Sequence, residues 1–148
     1  MTQSLRRFLS LSTAAQRLLF STTVLVGAIR ICLWLLPFQT VRRALARMER
    51  STHRPPISDR LSTDEIIWAV NAASRFLRSI TCLAQALAAQ TLLGRQGCHV
   101  DLRIGVARGV QGRLDAHAWL ESGGRVVIGE RNDLNRFTLL SPSSQSKT

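Results

Sequence analysis

Lysine is all but missing from this chain: Lys147 is the only one, so a net charge of +11 rests almost wholly on arginine. Tyrosine is absent and aromatic residues make up 5% of the sequence, which leaves few platforms on which bases could stack. The arginines are scattered over many segments and form no single stripe, so nucleic-acid binding is not expected despite the charge. An acidic or phosphate-bearing partner still suits the balance. Cysteine is scarce too: Cys32, Cys82 and Cys98 are odd in number and far apart, which fits the reduced thiols of a cytoplasmic protein better than a disulfide framework. Nor does a zinc site fit. Cys82, Cys98, His99 and His117 lack the close ligand pairs such sites use, and Cys98 and His99 point to opposite sides of one strand. No internal repeat is visible, and 148 residues at 45% hydrophobic content suit one compact domain with an extension.

What the chain does have comes in order. Met1 to Ala15 is polar, basic and expected to fray. Leu18 to Phe38 is the most apolar stretch and about long enough to span a bilayer, but Arg30 lies inside it and Pro37 closes it. A core helix burying Leu25, Ile29, Leu33 and Leu36 with Arg30 turned outward explains the pattern without a membrane. The late start of the apolar run and the lack of a small-residue cleavage site argue against a secretory signal. Val41 to Arg50 continues as a basic helix with Val41, Leu45 and Met48 on one face. Pro55-Pro56 interrupts the helical pattern and marks a linker within Ser51 to Arg60.

A helix start follows at Ser62-Thr63-Asp64-Glu65, where Ser62 and Glu65 have capping-box spacing. Ile66, Ile67, Val70, Ala73 and Leu77 carry helical periodicity from there. The next helix opens on a cysteine. With Thr81 as N-cap, Cys82 takes the first helical position, where unpaired N–H groups and the helix dipole stabilise an anion and make the thiol a better nucleophile. Leu83, Leu87 and a run of alanines anchor the platform behind it, which should end near Leu93 before Gly94 and Gly97. Alone, a cysteine on an alanine-rich helix is a small core residue more often than a nucleophile.

After Gly97 the period changes from helical to alternating. Cys98, Val100, Leu102, Ile104 and Val106 point one way, and His99, Asp101 and Arg103 the other, towards a wet face. Ala116 to Glu121 reads as a second strand, Ser122-Gly123-Gly124-Arg125 as a turn, and Val126 to Gly129 as a third strand. Cys32 and Cys98 read as core, His99 as a surface residue, and His53 stands in the linker without a visible partner. The one histidine in a suggestive setting is His117, in AHAWLE. Its bland alternative is a hydrogen-bonded residue beside Trp119, which itself could wall a cleft or simply fill core. Arg75 and Arg78 read as a solvated face, or as a device that steers an acidic peptide.

Helices, a cysteine at a helix start and then an antiparallel meander bearing a histidine make an α+β layout. That order resembles the transglutaminase-like and papain-like cysteine protease core, in which a helix bearing the nucleophile packs on a small antiparallel sheet. CLAQALAAQTLLGRQG, then LRIGV, then AHAWLESGGRVVIG resembles more narrowly the leader peptidases of lasso-peptide biosynthesis, transglutaminase-like proteases that stand alone from the other components. The resemblance covers the last half of the chain strongly and the first half weakly. It implies a helical, apolar and basic N-terminal extension over residues 1–58 and a peptidase core over 59–140, while the composition of SPSSQSKT marks a disordered tail over 141–148.

The resemblance implies that Cys82 attacks the scissile carbonyl and His117 takes its proton, through a thioester and with no metal or organic cofactor. It implies a precursor peptide as substrate, a small winged-helix protein that captures the leader, and a macrolactam cyclase acting next. The family usually orients the histidine with an aspartate, and here Gly129 stands at that position, with Glu130 following. A two-residue Gly123-Gly124 turn would set Glu121 against Val126 and His117 against Glu130, making Glu130 the third catalytic residue. A slip of one residue turns Glu130 away and leaves Asp133, Asn132 or a backbone carbonyl to hold the ring. Two other functions remain open: a transamidation at the same site, or a non-catalytic, membrane-associated basic protein.

Overall fold

The computed structural model describes residues 12–51, 61–76, 81–109 and 112–140. The proline linker, Leu77, Arg78 and the tail after Leu140 lie outside the described residues. Among the described residues four helices precede a small antiparallel sheet: α1 (Thr13–Leu35), α2 (Phe38–Ser51), α3 (Thr63–Phe76) and α4 (Cys82–Arg95), then β1 (Asp101–Arg108), β2 (Leu114–Ser122), β3 (Arg125–Ile128) and β4 (Thr138–Leu139). A short 3-10 turn, Leu134–Arg136, links β3 to β4. The α+β layout expected from the alternation of periods is what forms.

Helix α1 starts earlier than a frayed terminus through Ala15 would allow, because the Ser12 hydroxyl accepts the Ala15 N–H at 3.3 Å and caps it. Leu18, Leu19, Thr22, Val26 and Ile29 are its buried residues. That stripe differs from the expected one: Ile29 belongs to it, Leu25 and Leu33 only flank the core, and Leu36 is exposed. The helix is apolar on every side, so its composition cannot choose a face; contact with α3 and α4 does. Arg30 is half-buried and lines a cleft, where an outward position was expected. By length and composition α1 could cross a membrane, although 28% of its most apolar window is buried in the fold. Pro37 ends α1 and lets α2 fold back, burying Val41 and Leu45 but leaving Met48 largely exposed.

The start of α3 carries the expected capping box in full. Ser62 N–H donates to Glu65 Oε2 at 2.8 Å, and Glu65 N–H donates to Ser62 Oγ at 3.2 Å. Hydrogen bonds from the Ser62 backbone and then its hydroxyl hold the Glu65 carboxyl below its ordinary value of 4.5. A group lowered in the folded state stabilises fully above the ordinary value, and its contribution disappears as pH falls through the folded value. Ser62→Ala should therefore lower the thermal midpoint by roughly 2–4 °C at neutral pH. The difference should narrow below pH 4.5; equal losses at pH 7 and in strong acid, followed by circular dichroism, would contradict this account.

Ala84, Leu87, Ala88 and Leu93 of α4 are buried, so this helix is the central strut of the molecule. It runs past Leu93 to Arg95 and ends in a Schellman arrangement: Cys98 N–H donates to Leu93 C=O at 3.0 Å and Gly97 N–H to Gly94 C=O at 2.9 Å, with Gly97 at φ 80°. Val26 and Ile29 of α1, Val41 and Leu45 of α2, Leu87 and Leu93 of α4, and Leu120 and Ile128 of the sheet share one hydrophobic core. Residues on both sides of the Pro55-Pro56 stretch thus build the same interior.

The sheet order is β3-β2-β1-β4, antiparallel throughout. Leu102, Ala118 and Leu120 face the helices, with Ile104 packed against the same core. The other face is not simply wet. Ala107, Trp119 and Phe137 form a second small cluster there, and Glu121 ties it down by accepting from Trp119 Nε1 at 2.9 Å and Arg103 Nε at 3.1 Å.

Candidate active site

Cys82 stands where the capping pattern places it, first in α4, with the Thr81 hydroxyl accepting the Ala84 N–H at 3.4 Å. Its thiol is half-buried and donates towards the Ala116 carbonyl at 4.0 Å. The start of the cysteine helix and the strand bearing His117 therefore meet, although 34 residues separate them in sequence. Cys98 lies elsewhere, 3.7 Å from the Thr63 hydroxyl, and Cys32 flanks the core.

His117 is 8% exposed. Its ring stacks on Trp119 with centroids 6.0 Å apart and leans on Phe137 at 5.7 Å. Nε2 lies 2.7 Å from the Gly129 carbonyl oxygen. A carbonyl can only accept, so Nε2 carries the proton and, in the neutral ring, Nδ1 keeps the lone pair. That leaves Nδ1 as the basic nitrogen. Among the described residues no hydrogen bond joins the Cys82 sulfur to this ring.

The orienting contact expected of Glu130 is made instead by the backbone one residue earlier. The turn itself forms as anticipated: Gly123 and Gly124, at φ 56° and 78°, close the hairpin and Glu121 pairs with Val126. A β-bulge then intervenes, so Leu120 faces Ile128 and the register slips by one. Glu130 is left exposed, while Gly129, at φ 81°, turns its carbonyl onto the imidazole. A Cβ at Gly129 would lie 2.9 Å from the Ala118 carbonyl oxygen and 3.1 Å from Trp119 Cβ, so only glycine fits without displacement.

Asp133 does not hold the ring either; it helps to hold the segment that does. Asp115, two residues before His117, takes Arg136 at 2.6 Å and Arg131 at 3.7 Å, and Asp133 takes Arg131 at 3.0 Å and Arg136 at 2.8 Å. Partial desolvation works against the Asp133 charge, but the Arg131 hydrogen bond and the charges of Arg131 and Arg136 prevail and hold its carboxyl below the ordinary range. Both guanidinium groups also lie over the Phe137 ring, 5.4 and 5.1 Å from its centroid. Each pair is too exposed to count for much alone. Together they press Phe137 against His117, and no sequence pattern announced that role.

Beside the thiol opens a cleft of about 660 Å³ whose walls include Arg30, Ile31, Trp34 and Phe38 from the first two helices. Its one signal in the sequence is a tryptophan, Trp34, shortly before the helix-ending Pro37. Arg75, expected on a solvated face, is exposed.

A thiol at a helix start and an imidazole with its tautomer set by a carbonyl are the groups that nucleophilic acyl transfer uses; here the thiol meets the backbone of the histidine's strand, while the ring packs with Trp119 and Phe137 on the sheet face away from the helices. No curated protein and no solved structure matches the chain. Among protein families, the transglutaminase-like superfamily matches residues 23–141, a stretch that begins within α1 and closes after β4. This superfamily includes cysteine proteases and acyltransferases. With both the fold and most of its length accounted for, the chain belongs to the transglutaminase-like superfamily.

Proposed function

We infer that the protein is a cysteine peptidase that removes the leader from a ribosomally made lasso-peptide precursor. The observation that carries the catalytic part is the thiol of Cys82 at a helix N-terminus, 4.0 Å from the backbone immediately preceding His117. The narrower substrate reading is supported by the order of CLAQALAAQTLLGRQG, LRIGV and AHAWLESGGRVVIG along the chain.

In this scheme His117 Nδ1 takes the thiol proton and the sulfur attacks the scissile carbonyl. The side chains close on one another when substrate binds, as catalytic contacts that are long in a free enzyme commonly do. The tetrahedral intermediate collapses, the C–N bond breaks, and the amine leaves with the proton from His117. Water, deprotonated by the same imidazole, then attacks the thioester; the C–S bond breaks, a carboxylate forms and the thiol is restored. The Gly129 carbonyl acts as a positioning group, stabilising the imidazolium through Nε2–H. Glu130, exposed, has no step in this cycle.

Leader capture falls to a separate small winged-helix recognition protein, and an ATP-consuming macrolactam cyclase takes the product. The exposed side of the apolar and basic segment from Leu18 to Arg50 is the surface we assign to these partners or to the inner face of the membrane, with the enzyme itself in the cytoplasm. Neighbouring reading frames for a short precursor, a recognition protein and a cyclase should accompany this one.

Rapid acid quenching of the enzyme with a precursor peptide and its recognition protein should reveal an acyl adduct on Cys82 by mass spectrometry. Hydroxylamine should release it. Cleavage without any adduct at Cys82 refutes the mechanism. Incorporation of an added primary amine in preference to water would reassign the reaction as transamidation.

A further inference from the structure

We propose that the cleft at the elbow of α1 and α2 is the pocket that selects the substrate residue contributing the scissile carbonyl, and that it takes a bulky apolar side chain. The inference rests on Cys82 being the nucleophile and adds the chemistry of the substrate. Four observations support it. The cleft touches Cys82 itself, so whatever fills it is bonded to, or next to, the carbon under attack. Its walls are mainly Ile31, Leu33, Trp34 and Phe38, with Arg30 as the charged exception. Its volume of about 660 Å³ falls within the range of roughly 300–1,000 Å³ common for ligand sites. Finally, Ile31 is 58% and Trp34 86% exposed, an uncovered apolar surface directly beside a nucleophile, which an apolar side chain would remove from water.

The arrangement follows from local structure. Val26 and Ile29 commit one side of α1 to the core, so Ile31 and Trp34, on other sides of the helix, remain outside it. Pro37 then stops α1, and α2 begins with Phe38, which closes the cleft from a second direction. Thr81 and Leu83, flanking the cysteine, form the floor. The N-terminal helices thus provide the specificity of a reaction whose reactive groups lie in the C-terminal half.

The test uses the full-length protein and aminoacyl chloromethyl ketones bearing Phe, Gly or Asp, in which the thiolate displaces chloride and forms a thioether. Peptide mapping assigns alkylation to Cys82 apart from Cys32 and Cys98, and iodoacetamide reports thiol reactivity that needs no pocket. The Phe reagent should alkylate Cys82 at least about tenfold faster than the Gly reagent, relative to iodoacetamide. Ile31→Asp combined with Trp34→Asp should reduce that ratio to about twofold. Both positions are solvent-facing, and the wild-type ratio stands whatever the variant does. Leu140→Asp, exposed and outside the cleft, should retain the preference. Equal rates for Phe and Gly, or a preference for Asp, overturn the proposal while leaving Cys82 as nucleophile. A Cys82 inert even to iodoacetamide overturns the nucleophile and the pocket together.

Discussion

Replacing Cys82 with serine should cut peptide-bond hydrolysis by about ten-thousandfold or more, with no matching loss of fold. The change is close to isosteric and the side chain is only half-buried, so packing around Leu83 and Ala84 survives it. What disappears is chemical. A hydroxyl at a helix N-terminus is far harder to deprotonate than a thiol, and the described residues hold His117 through Nε2 on a neutral carbonyl, where a carboxylate would do more to make up the difference. Initial rates on the precursor peptide, set beside far-ultraviolet circular dichroism, check the result. Undiminished cleavage by the serine variant would remove Cys82 from the reaction and return it to the role of a core residue.

Gly129→Ala should be the most damaging change in the site that alters no side-chain chemistry. At φ 81° the backbone is in the left-handed region, and the new methyl would meet the Ala118 carbonyl oxygen at 2.9 Å. Together these should cost about 2 kcal/mol or more. The bulge must then open, carrying the carbonyl away from Nε2 and freeing the imidazole to choose the wrong tautomer. A drop in kcat of about a hundredfold with KM changed much less is the expected signature. Glu130→Ala is the necessary companion. Exposed and outside the ring contact, it should leave stability within about 0.5 kcal/mol of wild type and kcat within about threefold. If Glu130→Ala abolished activity while Gly129→Ala kept it, the orienting group would be the carboxylate and not the carbonyl.

The pair of variants also marks the boundary between what could and could not be read in advance. The Gly123-Gly124 turn was legible because two glycines between alternating strands have few conformations open to them, and Glu121 faces Val126 as that turn demands. The bulge after it was not, since an extra residue in β3 depends on how Trp119 and Leu120 are held from both faces of the sheet. One residue of slip exchanges Glu130 for the Gly129 carbonyl. The face of α1 followed the same logic: with apolar residues on every side, nothing in the periodicity separated a stripe through Leu25 and Leu36 from one through Val26 and Ile29.

Sequence by itself determined the caps, the change from helical to alternating period, and the placing of Cys82 at a helix start and of His117 on a strand. These are matters of nearest neighbours and short repeats, which a linear chain encodes directly. Only the tertiary structure decided which backbone atom holds the imidazole, how the arginine and aspartate network presses Phe137 onto it, and that α1 and α2 wall a cleft beside the thiol. Each of those depends on segments tens of residues apart meeting at distances of a few ångströms, and packing against the whole fold sets such distances.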